Sequence, residues 1–151
     1  MDKFLRVCGI IFLVLLGIGF VLGAIFIPRA MILNSSAVAF IDQELPKIAA
    51  NWDPDVVLRN GTAEFSSAAT KEQIDLLWAK FRQLGKLQSH DEPRGNVGAQ
   101  AMSNGPSGTF GMYSVRADFE HGNADIKITL KRVGDGWKFY GFHINSDIFL
   151  K

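Results

Sequence analysis

From Val7 to Ile27 the chain carries 21 consecutive residues without a charge or a strongly polar side chain, bounded by Arg6 and Arg29. A helix rising about 1.5 Å per residue turns that run into a rod of roughly 30 Å, the thickness of a bilayer's hydrocarbon core. A secretory signal has a shorter apolar stretch and a small-residue cleavage site, whereas this run ends in Phe26-Ile27-Pro28-Arg29, so an uncleaved anchor over residues 1–29 is predicted. Lys3, Arg6 and the amino terminus make the short N-terminal flank the more positive one, which predicts a cytoplasmic N-terminus with residues 30–151 exported. Gly19 and Gly23 form a small-xxx-small pair at which two such helices can approach closely.

Beyond the anchor the period of the pattern changes twice. Over residues 36–49, Val38, Ile41, Leu45 and Ile48 fall on one helical face, with Ser35 or Ser36 available as a cap and Pro46 expected to kink or restart the helix. Asp53-Pro54 opens a short helix that Asn60-Gly61 closes. A third helix has capping-box spacing at Thr70 and Gln73, an apolar stripe of Ile74, Leu77, Trp78, Phe81 and Leu84, and Gly85 at its end.

From Lys86 the period is two. A first strand over 86–90 precedes a Gly-, Ser- and Asn-rich stretch, 91–108, expected to be a loop with at most one short strand inside it. Tyr113, Val115, Ala117 and Phe119 then alternate against Ser114, Arg116, Asp118 and Glu120. After a turn at Gly122-Asn123, Ala124, Ile126, Ile128 and Leu130 do the same. Such a turn pairs Phe119 with Ile126 and sets Asp118 opposite Lys127. A second turn at Gly134-Asp135-Gly136 leads to a strand that is apolar on both faces. By parity Trp137, Phe139, Gly141 and His143 join the core, and Tyr140, Phe142 and Ile144 lie outside. Either a bulge at Gly141 turns the later residues inward, or the outer face carries an aromatic strip that another surface covers.

Helices first and strands after predict an α+β fold: one N-terminal transmembrane helix, then three helices packed on a curved, mostly antiparallel sheet of four or five strands. The 151 residues are 48% hydrophobic with 16 basic against 15 acidic side chains, which excludes a disordered chain and a basic nucleic-acid-binding domain. With Lys3, Arg6, Arg29 and Asp2 set aside, residues 30–151 carry a formal charge of −1. The single cysteine, Cys8, rules out an internal disulfide and a cysteine-built zinc site, and the charge in Leu5-Arg6-Val7 does not suit a lipoprotein signal. The glycines of 91–108 lack the Gly-Lys-Ser/Thr ending of a phosphate-binding loop.

Asn51-Trp52-Asp53, Leu84-Gly85-Lys86-Leu87, Asp118-Phe119-Glu120-x-Gly122-x-Ala124 and Gly136-Trp137 through Ser146 resemble the nuclear-transport-factor-2-like, or cystatin-like, α+β superfamily, over roughly residues 35–147. More narrowly, the chain resembles small bacterial proteins that join one N-terminal anchor to such a domain. The resemblance implies a bacterial inner-membrane location with the domain in the periplasm, and a cone whose wide end serves catalysis, ligand binding or assembly in different members.

No catalytic set emerges from the residues. Tyr113 and His143 fall on the core face without a carboxylate beside them, and the three histidines, His90, His121 and His143, have no metal-ligand spacing, so neither a catalytic group nor a metal or cofactor is assigned. Trp52, Trp78, Tyr113, Trp137 and His143 are the candidates for lining an apolar pocket, and Tyr140, Phe142 and Ile144, with Gly19 and Gly23, for an interface. The leading expectation is a membrane-anchored module that binds a protein partner or a second copy. The alternative is a small apolar or lipid-like ligand in the cone, with an acid-base enzyme behind it.

Overall fold

The computed structural model describes residues 2–100 and 107–150, with side chains at positions 14, 15 and 18 and from 30 onward within those ranges. It is an α+β structure. Helices α1 (Asp2–Asn51), α2 (Pro54–Arg59), α3 (Ala63–Ser66) and α4 (Lys71–Phe81) precede strands β1 (Leu87–His90), β2 (Arg94–Gln100), β3 (Gly108–Phe119), β4 (Gly122–Val133) and β5 (Gly136–Asn145). Short 3-10 turns follow α4 at Arg82–Leu84 and β5 at Asp147–Leu150. The chain divides into two compact units, Met1–Leu33 and Asn34–Lys151. Among the described residues no helix is long and apolar enough to cross a membrane. Apart from Val14, Leu15 and Ile18, the side chains of the apolar run 7–27 lie outside the described residues, as do Gly19 and Gly23.

Two expectations for the first helix are corrected. Ser35 and Ser36 do not cap it, because α1 already passes through them: Ala30-Met31-Ile32-Leu33 contains no breaker, and a serine is tolerated inside a helix. Nor does the helix restart at Pro46: α1 continues unbroken to Asn51. Pro46 has no N–H to give the Asp42 carbonyl, and both residues are exposed to solvent. The buried face is Ala37, Ile41, Leu45, Ile48 and Ala49, with Val38 only half-buried. The helix stops at Trp52, the one described non-glycine residue with positive φ (50°). A left-handed conformation costs a bulky residue about 1–3 kcal/mol unless its surroundings fix it. Here they do: Trp52 Nε1 donates to the Gly85 carbonyl at 2.7 Å, and the ring packs on Phe81 and Phe119.

The short helices follow their capping chemistry. Asp53 accepts from the Asp55 N–H ahead of α2, and Thr70 and Gln73 complete the capping box of α4. The sequence pattern did not predict α3, a single turn capped by Thr62. On α4 only Trp78 and Phe81 are buried, continued by Leu84 in the following turn, while Leu76 and Leu77 face solvent. Gly85 adopts φ 78°, and a side chain there meets Glu120.

The sheet is antiparallel, with β1 and β2 end to end along one margin of β3, then β4, then β5. A seven-residue strand therefore occupies most of 91–100, the start of the expected loop, and positions 101–106 lie outside the described residues. The β3–β4 register also differs from expectation. Phe119 faces Gly122, Val115 faces Ile126 and Asp118 faces Asn123, because the turn is Glu120-His121 and Gly122 already belongs to β4. Backbone and side chains of that turn are held by the 83–86 segment: His121 N–H donates to Leu84 O, and Lys86 N–H to the Glu120 carboxylate. Parity survives the shift, so the alternating rows still meet in one core of Val115, Ala117, Phe119, Ile126, Ile128 and Leu130. Asp118 bonds Ser89 Oγ, and Lys127 faces Ser114 and His143 instead.

Candidate functional site

Of the five pocket candidates, four are built into the packed interior, on separate supports. Trp52 closes α1 as described. Trp137 is buried and donates from Nε1 to Ser36 Oγ at 2.9 Å, with the Arg132 guanidinium 5.4 Å over its ring. The Tyr113 hydroxyl donates to Asn34 Oδ1 at 2.8 Å, and burial pushes its pKa above the ordinary 10.0, which keeps it protonated. Trp78 packs on Phe81 and Phe142, and its buried Nε1 is without a hydrogen-bond partner among the described residues.

His143 is the exception. It is exposed, because β5 carries an extra residue between Phe139 and Gly141: Leu130 faces Phe139 and Thr129 faces Gly141, leaving Tyr140 unpaired. Beyond this bulge the parity reverses. Ile144 becomes buried opposite Ile126, Phe142 turns toward Trp78 and Phe139, and His143 lies outward across from Lys127. The bulge alternative of the sequence reading thus holds, and His143 on the core face is corrected. Of the expected aromatic strip only Tyr140 stays outside. Its ring meets Phe110 edge-on at 5.2 Å, and Lys131 lies over both rings while bonding Glu64 at 3.0 Å.

The other histidines serve the loops that carry them. His121 Nδ1 bonds the Gln83 carbonyl, and His90 Nδ1 lies 2.9 Å from the Asp91 carbonyl. Among the described residues no three acidic, histidine or cysteine side chains are grouped to hold a metal ion.

Three surface hollows among the described residues of 34–151 bear on the candidates. One, about 250 Å³, is lined by Asp91, Glu92, Arg94, Ser114, Arg116 and Asp125 where β1 passes into β2. Another, about 410 Å³, lies between the end of α1 (Pro46, Ala50, Asn51) and Lys86-Leu87. The third, about 190 Å³, includes Met112, Tyr113 and Lys127. Tyr113 is the one candidate residue that reaches any of these three.

Two features escaped the sequence reading. Glu44 is buried, with Lys47 on Oε1 at 2.7 Å and Asn60 Nδ2 on Oε2 at 2.8 Å, so a charge that burial would penalise has both oxygens satisfied. Its place on the apolar side of α1, between Ile41 and Ile48, was the available signal. The second is the extent of β2: the one short strand allowed within 91–108 runs seven residues, paired with β3 from Arg94↔Ser114 to Gln100↔Gly108.

Compared with family models, with characterised proteins and with solved structures, the chain has no match.

Proposed function

We propose that this protein is a single-pass membrane protein of the bacterial inner membrane, whose periplasmic domain of the nuclear-transport-factor-2-like kind is an assembly module that binds a protein partner or a second copy. The apolar run 7–27 supplies the anchor, and the exposed apolar side chains Val14, Leu15 and Ile18 on α1 accord with a lipid-facing surface. The observation that carries the assembly role is the use made of the candidate rings. Trp52, Tyr113 and Trp137 spend their polar atoms on Gly85, Asn34 and Ser36, which commits them to holding the fold together. Recognition then falls to the surface, where backbone and mixed charges are on offer.

Alkaline carbonate extraction of membranes containing the full chain tests the anchor: retention in the pellet is expected, and release into the supernatant refutes it. Cross-linking in those membranes tests the module. A discrete adduct of this chain with itself or with one protein is expected, and recovery of the chain as a monomer carrying a co-purified apolar molecule would replace the assembly role with ligand binding.

A further inference from the structure

Exposed strand margins recruit other strands, and proteins normally blunt them with an inward charge, a proline, a bulge or a covering segment. Among the described residues, β2 has none of these. Arg94-Gly-Asn-Val-Gly-Ala-Gln100 contains no proline, its register with β3 is unbroken, and no described residue donates to or accepts from its outer margin. Only Val97 and Gln100 are even half-buried. Gly95, Gly98 and Ala99 carry almost no side chain to hinder an approaching backbone, and a Cβ at Gly98 would meet nothing within 4 Å.

We infer that β2 pairs antiparallel with β2 of a second copy of this chain, about a two-fold axis at Val97, joining two sheets into one. The inference rests on the assembly reading above and names its partner. Charge selects this arrangement. The strand's one charge is Arg94, so antiparallel pairing centred on Val97 sets Arg94 opposite Gln100 of the other copy and holds the two arginines about 20 Å apart, whereas parallel in-register pairing stacks them about 5 Å apart. The formal charge of −1 over residues 30–151 gives two copies little net repulsion. The pairing is self-complementary, as a two-fold interface requires: Gly95 meets Ala99, Asn96 meets Gly98 and Val97 meets Val97. Val97 lies opposite Gly111, on the core side of the sheet, so both apolar faces stay on the same side of the joined sheet.

The test uses the full chain in detergent micelles and in membranes. With Cys8→Ser as background, Val97→Cys should form an interchain disulfide in most chains under mild oxidation, since directly paired strand residues lie within disulfide reach, and Asp125→Cys should not. By analytical ultracentrifugation Val97→Lys should raise the dimer dissociation constant at least tenfold, and mixing the Val97→Lys and Val97→Glu chains should restore the dimer. The cross-link does not depend on tolerance of the lysine. A monomeric full chain, or a dimer indifferent to residue 97 with no disulfide from Val97→Cys, overturns the pairing. In the second case the assembly reading survives, while release from membranes would defeat that reading's anchor without touching β2.

Discussion

The two margins of the sheet are treated in opposite ways. At β5, the segment 60–62 lies alongside: Phe139 N–H donates to the Asn60 carbonyl at 2.8 Å, Thr62 N–H donates to the Phe139 carbonyl at 2.9 Å, and Gly61 pairs in parallel with Phe139. The bulge at Tyr140, in the pairing with β4, falls one residue on in the same strand. That short segment is itself tied down, since Asn60 bonds Glu44 on α1 and Thr62 caps α3. At β2 nothing comparable is found among the described residues. The fold invests a buried carboxylate, a cap and a bulge at one margin, whereas no described residue covers the seven of β2 at the other.

Four substitutions and one titration sharpen that contrast, each followed on the full chain in detergent by urea unfolding except the last. Phe139→Ala removes a fully buried ring that touches Phe40 and Phe142 and should cost about 3–5 kcal/mol. Asn60→Ala leaves Glu44 Oε2 buried without its donor and should cost about 1–3 kcal/mol; a loss near zero would show that the closing segment is not held through Glu44. Thr62→Ala removes the α3 cap, for about 1 kcal/mol. On the other margin Val97→Ala should cost about 1 kcal/mol or less, and a larger loss would mean that β2 belongs to the core after all.

The smallest effect concerns Glu64, exposed beside the closed margin. Its own backbone N–H, then Lys131 and Thr62, hold its carboxyl down at about 2 against the ordinary 4.5. A lowered folded pKa means that its contribution is present above pH 4.5 and disappears as pH falls through about 2. The midpoint of its carboxyl NMR titration should lie near 2 and move upward in Lys131→Met.

Much of this was legible in the chain. Alternation along 113–130 gave the correct inward rows, and Thr70-x-x-Gln73, Asp53-Pro54 and Gly85 marked real helix ends. The register was not legible, because Gly122-Asn123 has the composition of a turn while the real turn is chosen by contacts from Gln83, Leu84 and Lys86, more than thirty residues away. The same holds for β2: glycines that lower strand propensity were overridden by pairing with β3. Of the rings offered for an apolar pocket, Trp52, Trp78, Tyr113 and Trp137 pack inside, and the hydrogen-bond partners of three of them, Gly85, Asn34 and Ser36, lie in other elements and leave no local signature. His143 was misplaced by a single inserted residue, Tyr140, whose effect on parity depends on whether the strand bulges there.

The bond from Trp137 to Ser36 spans 101 residues of chain. During synthesis at about 5–20 residues per second, Ile41, Leu45 and Ile48 emerge roughly 5–20 s before the strands that cover them. For that interval an oily helical face waits without its partner, so a holding chaperone is expected to bind chains stalled before residue 137 and to release those stalled after the whole sheet has emerged.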